Sequence, residues 1–102
     1  MTRDEIIAKL RETAPALRAE GVTRLAIFGS RARGDARADS DLDVLIEVDP
    51  KARLQGLALI GVLDDVERTI KAAIGIATQA EMVRSLEPRF AERIADELIE
   101  IF

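Results

Sequence analysis

The chain contains neither cysteine nor histidine. Disulfides, thiol nucleophiles, Ser-His-Asp triads and ordinary zinc sites are therefore excluded. Any metal must be a hard cation held by oxygen, such as magnesium, calcium or manganese. Trp and Tyr are also missing, so Phe28, Phe90 and Phe102 are the only aromatics, which argues against platforms that stack single-stranded nucleic acid. Nor is there a basic surplus: 15 Lys and Arg face 19 Asp and Glu, for a net charge of −4. Strong nucleic-acid binding through a broad basic face is not expected. The longest apolar run, Leu57 to Leu63, is far too short to span a bilayer. Met1 to Leu10 mixes Arg3, Asp4, Glu5 and Lys9 among its apolar residues, unlike a signal peptide. A soluble cytoplasmic protein without a membrane partner is the expectation.

What is present describes one globular unit. At 102 residues, 48% hydrophobic and 33% charged, residues 1–102 read as a single domain able to offset its ordering entropy. Thr2 and Glu5 have the spacing of a capping box, and Ile6, Ile7 and Leu10 follow on one helical face. Pro15 is expected to break or restart that helix near Thr13, and Gly21 to end it. Val22 to Phe28 reads as a strand closed by Gly29, and Ser30 to Ser40 as a loop or short exposed turn. Asp41 to Val48 alternates clearly: Leu42, Val44, Ile46 and Val48 share one face, with Asp49-Pro50 as the stop. Leu54 to Ile74 has the spacing of a long amphipathic helix. Gly75 to Thr78 suits a short third strand, and Pro88 the first turn of a final helix presenting Phe90, Ile94, Leu98 and Ile101. The apolar stripes of these two helices suggest an interface. The order predicts an α/β (α+β) fold, with helices packed on one face of a small mixed sheet.

The chemistry concentrates between Phe28 and Val48, FGSRARGDARADSDLDVLIEV. Gly29 permits a sharp turn and close approach to a ligand, while Ser30 brings a hydroxyl and a backbone N–H suited to phosphate. Arg31, Arg33 and Arg37 offer guanidinium forks that match phosphate oxygens. Asp41 and Asp43, two apart on a strand, share a face with backbones about 7 Å apart and can converge on one divalent cation. Plainer readings stand beside these. A Gly-Ser at a strand end is usually a turn, an Asp-x-Asp is often strand-edge charge, and the arginines are placed to pair with Asp35, Asp39, Asp41 and Asp43 as surface charges. Asp64, Asp65 and Glu67 read as the wet face of their helix.

The ordered combination Gly29-Ser30-Arg31-Ala32-Arg33-Gly34-Asp35, then Ser40-Asp41-Leu42-Asp43, resembles the signature of the minimal nucleotidyltransferases of the polymerase-beta-like superfamily. The likeness covers most of the chain and extends to the antitoxin halves of HEPN/minimal-nucleotidyltransferase toxin–antitoxin pairs. It implies a nucleotidyltransferase fold in which Gly29, Ser30, Arg33 and Ser40 form the nucleotide site. Asp41 and Asp43 would be the catalytic pair and the ligands of Mg2+ or Mn2+. The implied reaction moves a nucleoside monophosphate from a triphosphate, with ATP the expected donor, to a hydroxyl of a partner protein such as a HEPN-type toxin. The alternative is a degenerate antitoxin or binding module acting by complex formation. One departure stands out. The family carries a third carboxylate on the following strand, and this chain reads Ile74-Gly75-Ile76-Ala77-Thr78, so the matching position is expected at Gly75, without an acid.

Overall fold

A computed structural model describes residues 1–48, 56–82 and 98–102. The first helix, α1 (Arg3–Ala19), opens on the capping box: Glu5 donates its backbone N–H to Thr2 Oγ1 at 3.2 Å, and Thr2 donates its own to Glu5 Oε1 at 3.3 Å. Pro15 does not break it. The proline lies exposed within one continuous helix. Ala14 and Leu17, on either side of it, are buried. Fully burying a leucine is worth about 1.5–3 kcal/mol, which offsets much of the ~3 kcal/mol cost of an interior proline.

Strand β1 (Val22–Phe28) leads directly into a five-residue helix, α2 (Gly29–Arg33), where a loop is expected from sequence. Ala32 explains the difference, because this small side chain is 4% exposed and seats the turn against the core. Residues 34–41 then run to β2 (Leu42–Val48), antiparallel to β1 with Phe28 beside Asp43. The long helix α3 (Gly56–Ile74) buries Val66, Ile70 and Ile74 against Ile6, Leu10 and Leu17 of α1 and the inward residues of β1 and β2. The Val66, Ile70 and Ile74 part of its apolar stripe therefore belongs to the core. Among the described residues, Met1 is the exposed large hydrophobic.

The third strand is displaced from its expected place. Gly75 ends α3 at φ +72°, and the ladder starts later as β3 (Thr78–Met82), parallel to β2. Leu42 donates its N–H to the Ala77 carbonyl at 2.8 Å, where the pairing begins. A final helix through Leu98 and Ile101 is also corrected: Ile99–Glu100 form β4, antiparallel to β1, and Ile101 is buried beside it. A hydrogen-bonded extended backbone cannot be helical at the same residues. The stop at Asp49-Pro50 and the cues at Leu54, Pro88, Phe90 and Ile94 lie outside the described residues. Among those described, the sheet has order β3-β2-β1-β4 and mixed direction, and α1 and α3 share one core with its inward face, as expected.

Glu67 is a further correction. Rather than joining the wet face of α3, it is half-buried and its Oε1 accepts the Ala80 N–H at 3.0 Å, satisfying a donor of strand β3. Glu67→Ala is expected to destabilise the fold by about 1–2 kcal/mol. Thermal melting should show a drop of several degrees, and Glu67→Gln, which keeps an acceptor, should lose less.

Candidate active site

The end of β1, the turn into α2, the entry to β2 and the middle of β3 meet at one place. Gly29 starts α2 at φ +73°, a region that side chains other than glycine rarely adopt. A Cβ built there would lie 2.6 Å from Asp43 Oδ2. The backbone thus passes against the carboxylate with only a hydrogen between them. Ser30 is the second residue of α2, and its carbonyl accepts the N–H groups of Gly34 and Asp35 at 3.0 and 3.1 Å.

The loop that delivers the aspartates is tied on itself. Ser40 Oγ accepts the Arg37 N–H at 2.9 Å, and the Ser40 N–H donates to the Arg37 carbonyl at 3.0 Å. Arg31 closes it from α2, donating Nε and Nη2 to the Ser40 carbonyl at 3.2 and 2.8 Å. This guanidinium, which phosphate chemistry alone would aim at a ligand, instead fixes the residue before Asp41. Arg33 pairs with Asp35 at 3.2 Å across an exposed surface, in line with the plainer reading of these charges. It also acts on Asp43. A cleft of about 490 Å³ opens between the first turn of α1 and the Arg31, Arg33 and Gly34 segment.

Asp41 is exposed at the mouth of β2, while Asp43 is half-buried one pair inward. Desolvation pushes the Asp43 carboxyl above its usual range, the like charge of Asp41 adds to that, and the Arg33 guanidinium opposes it. Two carboxylates held this way are hard oxygen donors in a partly desolvated setting, which fits magnesium or manganese.

The neighbour of this pair on β3 is not Gly75. The parallel register sets Gln79 beside Asp43, and Gln79 Nε2 donates to Asp41 Oδ2 at 3.1 Å. Gly75 lies four residues earlier, before the strand begins. Gln79 is the site residue that sequence reasoning missed, while Arg31 was read as a fork for phosphate and instead ties the loop. The signal for Gln79 was available in the segment after Gly75, where Gln79, Ala80, Glu81 and Met82 alternate polar with apolar. Among the described residues, no group of three or more acids comes together.

Residues 6–101 match the family model described as the nucleotidyltransferase domain. A protein of Methanocaldococcus jannaschii, assigned as a protein adenylyltransferase, is 30% identical over 91 residues, covering 89% of this chain and 91% of its own. A solved structure assigned as a minimal nucleotidyltransferase superposes with TM-score 0.68 at 31% identity, covering 97% of this chain and 95% of that one. At the level of fold alone, a crystal structure of a toxin–antitoxin with AMP-PNP gives TM-score 0.59 at 17% identity. It covers all of this chain and 73% of that one.

Proposed function

We propose, because this chain belongs to the nucleotidyltransferase domain family and is a minimal nucleotidyltransferase, that it transfers a nucleoside monophosphate from ATP to a hydroxyl of a partner protein. The observation that carries the reading is the contact of Gly29 with Asp43, which puts the Gly-Ser turn and the aspartate pair in one site. Asp41 and Asp43 would hold Mg2+ or Mn2+, which supplies charge neutralisation at the reacting phosphate. Gly29 and Ser30 would take the phosphates at the turn. Ser40, tied by Arg31 and Arg37, holds the aspartate loop.

In the transfer, the acceptor oxygen forms a bond to the α-phosphorus while the bond from that phosphorus to the β-phosphate oxygen breaks. Pyrophosphate carries away the leaving electron pair, and the hydroxyl proton passes to water. The chain has no tyrosine, so a phenolic acceptor must belong to the partner. The adenylyltransferase relative supports a protein acceptor, and the toxin–antitoxin neighbour supports a toxin as that partner.

A second reading is favoured by Gln79, an amide rather than an acid on the strand beside the aspartate pair: a binding module that neutralises its partner by complex formation. Incubation with α-labelled ATP, magnesium and the product of the adjacent open reading frame separates the two. Label on the partner, lost with the double substitution Asp41→Asn/Asp43→Asn, is the expected result. A stable unlabelled complex would give the module reading instead.

A further inference from the structure

We infer that Gln79 makes this a site for one divalent cation per bound triphosphate, where a carboxylate at the same register position would make it a site for two. The inference rests on reading Asp41 and Asp43 as the cation-binding pair. Two ions in one phosphate-transfer site lie about 3.5–4 Å apart, and their mutual repulsion must be balanced by shared anionic oxygens. The described residues supply two carboxylates here and no third acid.

The side chain beside that pair is an amide, whose one acceptor is a neutral carbonyl oxygen. Gln79 is an exposed residue of β3 in register with Asp43, and it presents an N–H donor to Asp41 Oδ2 at 3.1 Å. A hydrogen placed on that oxygen and a cation cannot share one lone-pair direction. The amide also brings no charge. The nearby Arg33 guanidinium, whose field reaches Asp43, further lowers the anionic character of the site. Gln79 thus ties Asp41 in place while offering a second ion no anionic oxygen. One cation, completing its coordination with phosphate oxygens and water, is what the remaining donors can hold.

The test counts manganese bound to the full chain by electron paramagnetic resonance, using an ATP analogue with a non-hydrolysable α–β linkage and a nucleotide-only control. The expected count is about one ion per chain, rising to about two in Gln79→Asp. Gln79→Glu, close in shape to the native residue, provides the same comparison should the shorter acid fail to fold. A count of two in the native chain, or of one in both acidic variants, overturns the inference and leaves the transferase reading intact. Neither analogue nor manganese binding to the native chain would overturn both.

Discussion

Asp43→Asn is expected to reduce transfer sharply and, at neutral pH, to make the protein harder to melt. The two effects have one cause. Asp43 is half-buried, pressed against the Gly29 backbone and two residues from Asp41. Burial raises its affinity for a proton, the Asp41 charge raises it further, and Arg33 compensates only in part. The folded chain therefore holds this proton more tightly than the unfolded chain, whose aspartate titrates near 3.8. Stability from protonation is fully present below that value and is lost as pH rises through the raised folded-state value. At neutral pH the ionised carboxylate is a cost to the fold, and asparagine removes it. The melting temperature of the variant should exceed the native one at pH 7, with the difference closing below the ordinary aspartate range. Transfer should fall by about a hundredfold or more, or ~3 kcal/mol at 1.4 kcal/mol per decade, once one of two cation ligands is neutral. A native protein that melts higher than Asp43→Asn at pH 7 would contradict this electrostatic account. The same proton competes with the cation, so metal affinity should weaken on acidification before an ordinary aspartate would protonate.

Gly29→Ala should damage both stability and chemistry. Alanine at φ +73° costs roughly 1–2 kcal/mol in backbone strain, and its methyl would meet Asp43 Oδ2 at 2.6 Å and Cγ at 3.4 Å. The carboxylate is the movable partner and must swing aside. Misplacing a reacting group by about 1 Å can cost on the order of a hundredfold, so a loss of about 10- to 100-fold in transfer is expected, with weaker manganese binding. Gly34→Ala is the control. Its φ is also positive, at +84°, but a Cβ there meets nothing within 4 Å. That variant should show a similar fall in melting temperature while keeping cation affinity. Equal loss of cation binding in both would mean that strain, rather than contact with Asp43, governs Gly29.

Legibility in the sequence followed the range of the interactions. The capping box of Thr2 and Glu5 spans three residues and forms as read. The alternation of Leu42, Val44, Ile46 and Val48 puts four fully buried side chains inward, because a strand's two-residue period needs no partner to be seen. The Gly29-Ser30 turn and the Asp41-Leu42-Asp43 step are equally local, and the resemblance carried by them agrees with the family match. Pro15 was misread because a local rule was outweighed by burial of Leu17 from another part of the chain. The Ile99–Glu100 segment pairs with Ala26 and Ile27, more than seventy residues earlier, so its extended form has no local cause. Likewise, Arg31 meets the Ser40 carbonyl only because the loop folds back onto α2.

By itself the sequence determined which groups are open to chemistry in this protein: oxygen donors without thiol or imidazole, a glycine turn and two aspartates on one strand face. Tertiary structure alone decided what stands beside those aspartates. Neighbours on adjacent strands are set by register, and the register of β3 against β2 depends on where α3 stops and on the core that orients it. That long-range packing brings Gln79, rather than Gly75, to Asp41.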